Sequence, residues 1–224
     1  MDTSSRITIV GGGIAGLVCA LELLKKGHKV TLLEGQSKAE LGGLAKQAFG
    51  GMAIIGSPLQ KLNGIKDSED LAWQDWCNFA EFGDEDVWPK RWAKHYIQKS
   101  KTDVFDWVKK LGVGFFPAVN WVERGDYKPG NSVPRYHVMW GTSKRLVKKV
   151  LDAIKKVDSN LTLQTDCLVT GFEKSEKGYR LALKKNGQAS LHKTDVLILA
   201  SGGINGCLNK TRKHWHTKLS PAPK

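Results

Sequence analysis

Four positions near the start of the chain have the residue types and spacing for nucleotide chemistry. Gly11, Gly13 and Gly16 form a G-x-G-x-x-G set, and Glu34 follows at about twenty residues' distance. At this spacing the first glycine permits a tight turn and the second lets a diphosphate approach bare backbone. The third lets a helix pack closely on a sheet. Unpaired N–H groups and the positive end of the helix dipole then hold phosphate charge. A carboxylate where Glu34 stands can accept hydrogen bonds from adenosine ribose hydroxyls. Glycines also serve plain turns, so the motif depends on the elements that carry it.

Those elements are present in order. Ile7 to Val10 is a short, largely β-branched run suited to a buried parallel strand. After Gly11-Gly12-Gly13, apolar residues recur at Ile14, Leu17, Val18, Leu21 and Leu24, which predicts a helix. Lys25, Lys26 and Gly27 supply positive charge and a glycine stop at its carbonyl end. Lys29 to Glu34 reads as a second strand, so strand, turn, helix, strand and acid lie in register. Dinucleotide binding is favoured over a purely structural βαβ turn.

From Gln36 to Gly64 the chain is glycine-rich and without clear period, with the pairs Gly42-Gly43 and Gly50-Gly51 separated by Ala45 and Ala48. Small residues let backbone come close to a partner, such as a cofactor diphosphate or ring; a surface loop is the alternative. A helix is expected from Asp67, another from Pro89, and a third over Val104 to Leu111, stopped by Gly112. Six of the eight tryptophans fall between Trp73 and Trp121, which favours an aromatic core over a ligand cage. Val113 to Val122 reads as extended chain and Glu123 to Arg135 as loop. His137 lacks a metal-ligating or acidic neighbour at useful spacing, so a structural role is favoured over a general base.

Strands are then expected at Leu161–Thr165, Leu168–Glu173, Tyr179–Leu183 and near Ala189–His192, with hairpin turns at Lys177-Gly178 and Asn186-Gly187. Asp195 to Ala200 is a buried-type strand running into Ser201-Gly202-Gly203. Such an end can border the cleft at the carboxyl ends of parallel strands.

Composition sets outer limits. The 224 residues carry 41% hydrophobic types, enough for one ordinary domain or one and a fraction. Cys19, Cys77, Cys167 and Cys207 show no metal spacing and read as reduced thiols, so the expected location is cytoplasmic. No run suits a signal peptide or a membrane span. A net charge of +13 raises nucleic acid or an anionic membrane as partners. The lysines, however, are dispersed, and the densest run, Lys144 to Lys156, is amphipathic with Leu146, Val147, Val150, Leu151 and Ile154 on one face. An ordinary solvated helix face is favoured, with no nucleic acid partner.

GGGIAGL, GHKVTLLE, the two glycine pairs and LILASGG together resemble the fumarate reductase and succinate dehydrogenase flavoprotein superfamily. The runs IIGSPLQKLNGIKDSEDLAWQDW, WVKKLGVGFFPAVNWVERG and GNSVPRYHVMWGT resemble FAD-binding dehydrogenases related to ketosteroid dehydrogenases. The resemblance covers nearly the whole chain. It implies an α/β fold: a Rossmann-like FAD-binding fold, with a parallel sheet, helices and a β-meander, incomplete relative to the family. The FAD-binding domain would span 1–206, with a helical insert over about 66–112 and a meander over about 161–193. Residues 207–224 would be a tail where relatives continue into a capping domain.

The resemblance also implies FAD as cofactor and hydride transfer with an organic substrate. Gly11, Gly13, Ile14, Ala15 and Gly16 match the phosphate turn, and Glu34 with Gly35 the ribose site. Gly42 and Gly43 match the pair passing the diphosphate. Leu44, Ala45, Gly50 and Gly51 match chain running toward the isoalloxazine ring. Leu168 matches the adenine contact, and Ala200, Ser201 and Gly202 match a turn meeting the cofactor, with serine for threonine. No catalytic residue is carried over, because those of relatives lie mostly in segments without counterpart here. The expected chain is therefore a truncated relative of doubtful independent activity, whose substrate, steroid-like or a dicarboxylate, stays open. A second chain supplying the remainder is one alternative. An NAD(P)-binding Rossmann enzyme and a non-catalytic flavoprotein remnant are the others.

Overall fold

The computed structural model describes residues 5–119, 122, 129–204 and 207–215. Trp121, residues 123–128 of the expected loop, and 216–224 of the expected tail lie outside them. The chain gathers into two compact units, residues 1–44 with 154–224, and residues 45–153.

The first unit is built on a parallel sheet. Ile7–Val10 (β1), Val30–Leu33 (β2), Leu161–Gln164 (β5) and Val196–Leu199 (β9) lie in the order β5-β2-β1-β9. Val10 aligns with Leu33 on one side and Leu199 on the other, so the carboxyl ends share one rim. Ile9, Val30, Leu32 and Leu33 of the central strands are buried, whereas Val196 and Leu199 of the edge strand β9, expected to be of buried type, are exposed. Ile14–Lys25 (α1) connects β1 to β2 and buries Leu17, Ala20, Leu21 and Leu24. Lys25 lies in its last turn and Gly27 follows at φ +81°, in the left-handed region where glycine is unstrained.

Cys167–Ser175 (β6), Gly178–Lys185 (β7) and Gln188–Thr194 (β8) form a separate antiparallel sheet. Asn186 and Gly187, between β7 and β8, both have positive φ, as a type I′ hairpin turn requires. The meander buries Leu33, Cys167, Leu181 and Leu183 together, with Val10, Val169, Tyr179 and Leu197 packed against them. The strand expected to open this meander at Leu161 instead extends the parallel sheet beside β2. The cause is a bend at Asp166, whose φ is +55°. Its amide bonds Gln36 O and the next amide, of Cys167, bonds Glu34 O, redirecting the chain into β6.

In the second unit Gly51–Ala53 (β3) pairs antiparallel with Tyr136–Val138 (β4). The helices are Pro58–Leu62 (α2), Glu69–Ala80 (α3), Val87–Lys99 (α4), Trp107–Lys110 (α5) and Thr142–Ile154 (α6), the last ending at the unit's border. The stretch expected to be aperiodic thus contains β3 and α2. Pro89 lies inside the first turn of α4 rather than at its start. The expected break before Val104 is absent. A π-helical segment, Ser100–Asp106, joins α4 to α5, since Ser100 to Asp106 holds neither glycine nor proline. Ser100 is buried there, its Oγ accepting from Ile55 N at 3.2 Å.

Ile55, Ala72 and Ile97 form a small core with Trp73 and Tyr96 against it. The tryptophans divide: Trp76 meets Tyr96 edge-on with centroids 6.0 Å apart, whereas Trp88 and Trp92 are exposed. Of the expected extended stretch from Val113, Phe115 forms an isolated bridge with Met139. Leu208–Lys213 (α7) is a short helix in the expected tail.

Candidate functional site

In the first unit the glycine turn places bare backbone at the start of α1. The first intrahelical bond runs from Leu17 N to Gly13 O at 2.9 Å, so the amides of Ile14, Ala15 and Gly16 precede the hydrogen-bonded ladder. Gly13 caps the helix without a side chain, and no acid occupies the first turn. A Cβ at Gly13 would meet nothing within 4 Å, so the space before these amides is open. This combination suits an anion.

The other two glycines of the motif serve packing. A Cβ on Gly11 would lie 2.3 Å from Ala200 O, and one on Gly16 only 1.9 Å from Gly11 O. The turn and the end of β9 therefore fit only if both are bare. Ala200 N also bonds Val10 O at 2.8 Å, while Ser201 and Gly202 stay exposed beyond it.

Glu34 sits at the end of β2 with both carboxylate oxygens oriented. Gly12 N donates to Oε2 at 2.6 Å and Gln36 N to Oε1 at 2.7 Å. A carboxylate offers about four acceptor directions, so each oxygen keeps one for a hydroxyl donor. Gly42 N bonds Gly12 O at 2.8 Å, and Gly42 bridges Gly13 in parallel register. A Cβ on Gly43 would come 3.4 Å from Gly13 Cα. Gly35 lies against Leu168, whose Cδ1 would be 3.3 Å from an added Cβ, and Leu168 is 53% exposed. Gly11, Gly13, Gly16, Glu34, Gly35, Gly42, Gly43, Leu168 and Ala200 thus converge on one rim of the first unit. An elongated dinucleotide fits this chemistry: open amides for a diphosphate and an aimed carboxylate for ribose.

Leu44 is exposed at the boundary of this unit. Ala45, Gly50 and Gly51 belong to the second unit. There the backbone of Gly50, at φ +94°, meets Ser143 N, which would be 2.7 Å from an added Cβ. Gly51 faces the Tyr136 ring, 1.6 Å from the same construction. Packing inside the unit accounts for both glycines. Gly12, Gln36 and Leu41 were not singled out from sequence; Leu41 covers Gly12 so closely that a Cβ there would lie 2.6 Å from its Cδ2. The third glycine in a row was the available signal.

The second unit holds a buried polar network. Arg135, 2% exposed, donates through Nη2 to Asp67 Oδ1 at 2.8 Å and through Nε to Oδ2 at 2.9 Å. Its Nη1 donates to Asp75 Oδ2 at 2.6 Å and to Asn131 Oδ1 at 2.8 Å. Burial works to raise the Asp75 carboxyl, but hydrogen bonds from Ser132 and Arg135 outweigh it and hold it below its ordinary value.

His137 is fully buried, with Nδ1 donating to Arg135 O at 2.7 Å and Nε2 accepting from Ser57 Oγ at 2.6 Å. The carbonyl can only accept, which fixes the neutral tautomer. Burial pushes its pKa down, outweighing the backbone carbonyls and Asp67 that favour the charged form. The structural role expected of His137 is the role it has. Burial likewise raises the Cys19 and Cys167 thiols, so neither is poised as a nucleophile.

Among the described residues no group of three or more His, Cys, Asp or Glu is placed to hold a metal, and no helix is long and apolar enough to cross a membrane.

A family model described as FAD binding domain matches residues 6–224. A KsdD-like steroid dehydrogenase of Mycolicibacterium smegmatis is 36% identical over 97% of this chain and 43% of its own length. A second one, from Mycobacterium tuberculosis, is 34% identical over 96% of this chain and 42% of its own. The chain therefore spans less than half the length of these relatives. Among solved structures, the 3-ketosteroid Δ4-(5α)-dehydrogenase of Rhodococcus jostii superposes with TM-score 0.74 at 20% identity, over 94% of this chain and 49% of that one. The quinol:fumarate reductase chain of E. coli gives 0.63 at 15%, over 89% and 33%. At these identities the superpositions speak for the fold.

Proposed function

This chain belongs to the FAD binding domain family, and from that premise we propose that its first unit lays FAD along the rim described above as part of a dehydrogenase. The amides of Ile14, Ala15 and Gly16 receive the diphosphate, Glu34 the adenosine ribose, and Leu168 with Gly35 one side of the adenine. Gly42 and Gly43 leave room for the diphosphate beside Gly13, and Ala200, Ser201 and Gly202 border the cofactor at the end of β9. Leu44, the last residue of this segment of the first unit, leads toward the ring end.

The observation that carries this reading is the open space before the first turn of α1, beside a carboxylate already held by two backbone amides. Bound FAD supplies a two-electron acceptor for a hydride from a substrate carbon. The chain's own part is to bind and orient it, with helix-end amides opposing phosphate charge without a side-chain cation. The relatives' names support a steroid-like organic substrate over a dicarboxylate. Four free cysteines fit a reducing, cytoplasmic setting. A second chain completing the substrate site is consistent with the greater length of the relatives.

Purified protein tests the cofactor assignment directly. A yellow preparation that releases FAD on denaturation, and a titration showing FAD bound far more tightly than NADH, are expected. A colourless protein that binds NADH and ignores added FAD would overturn it.

A further inference from the structure

The second unit contains a cavity of about 340 Å³ that the proposed cofactor rim does not use. Its size is at the lower end of ordinary small-molecule pockets. Ile55, Ala72, Trp76 and Phe79 line its apolar part, while Asp75, Asn131 and Arg135 line one end. Trp76 and Phe79 keep 37% and 55% of their surface exposed, which leaves aromatic faces available rather than consumed by the core.

The polar end is selective. Arg135 Nη1 bridges Asp75 Oδ2 and Asn131 Oδ1, so the carboxylate and the amide stand side by side. Arg135 already has two carboxylate partners and has little attraction left for an anionic ligand. Among the described residues, Asp75 Oδ1 accepts no hydrogen bond and Asn131 Nδ2 donates none, although the Asp75 side chain is only 9% exposed. One acceptor and one donor, on two residues that line the same cavity, are thus left without a partner among the described residues.

We propose that this cavity binds a neutral, flat, apolar ring molecule bearing one hydroxyl group. The hydroxyl donates to Asp75 Oδ1 and accepts from Asn131 Nδ2, while the rings lie against Trp76 and Phe79. A hydroxyl matches the two vacant groups; a ketone would leave Asp75 Oδ1 without a donor. An ammonium would satisfy Asp75 but set its own donors against Asn131 Nδ2. The site lies wholly within residues 53–135 and stands whether or not the first unit holds flavin.

Equilibrium binding to the purified full chain tests this with 2-naphthol, 2-methoxynaphthalene, naphthalene and 2-naphthylmethylammonium. The expected order places 2-naphthol about ten-fold tighter than the methoxy compound, which accepts but cannot donate. Asn131→Ala removes most of the preference for 2-naphthol over naphthalene, and Trp76→Ala weakens all ring compounds alike. Flavin content, read from visible absorption, stays unchanged in both variants, and circular dichroism confirms folding. Asn131→Asp retains an acceptor for Arg135 but no donor, and also loses the preference, so an unfolded alanine variant does not end the test. Equal affinity for all four probes, or tightest binding of the ammonium, would overturn the proposal.

Discussion

Glu34 is aimed before any ligand arrives, because Gly12 N and Gln36 N each hold one of its oxygens. Glu34→Ala is expected to lower stability by about 1–2 kcal/mol and weaken FAD about ten-fold or more, since two amides and the ribose lose their shared acceptor. Glu34→Gln retains one oxygen and should fall between, by calorimetric titration and melting. His137 gives a pH signature. Its folded-state pKa lies below the ordinary 6.5, so the unfolded chain takes up a proton first as pH falls. The stability it supports is complete above about 6.5 and declines below it. Melting temperatures measured between about pH 8 and pH 5.5 should drop on the acid side, and His137→Gln should flatten that slope while lowering stability throughout. The Asp75 contribution vanishes only further down, as pH falls through its depressed pKa, below 3.8. A lone histidine in the sequence carried no sign of Ser57 as its partner, since the two stand eighty positions apart.

At the scale of elements, α2 begins with a capping box: Ser57 Oγ accepts from Gln60 N and Gln60 Oε1 from Ser57 N. Ser-Pro-Leu-Gln is therefore a helix-start signal, with proline at its first position, inside a stretch read as glycine-rich and without clear period. Ser57→Ala should cost about 1–2 kcal/mol, because the cap and the hydroxyl donor to His137 go together. Arg135→Leu should cost more, about 3–5 kcal/mol in denaturant unfolding, by leaving Asp67 and Asp75 buried without a counter-charge. Local signals recovered β1, α1, β2 and β9 because apolar period and glycine turn agree there. They misplaced β5, since a short strand of Leu-Thr-Leu-Gln fits a meander or a parallel edge equally. The deciding bend at Asp166 rests on bonds to Gln36 and Glu34, far away in sequence.

For the whole molecule, charge and length were poor guides, while the spaced glycines were informative. Within them the spacing itself separates the duties, open approach for the second glycine and close packing for the first and third. Gly11 and Gly16 are bare because backbone crowds them, and Gly13 is bare beside open space. Leu168 entered only through resemblance, because nothing local marks one leucine of a strand as facing a ligand; it lies beside Gly35. The separation of packing from binding supplies the sharpest experiment: FAD titration of Gly13→Val beside thermal melting of the same protein. With φ at −69° and no atom near its Cβ, valine is tolerated by the fold. The expected result is a melting temperature lowered by no more than about 4 °C and FAD affinity reduced about ten-fold or more. FAD affinity unchanged in a folded Gly13→Val protein would contradict the placement of the diphosphate at the start of α1.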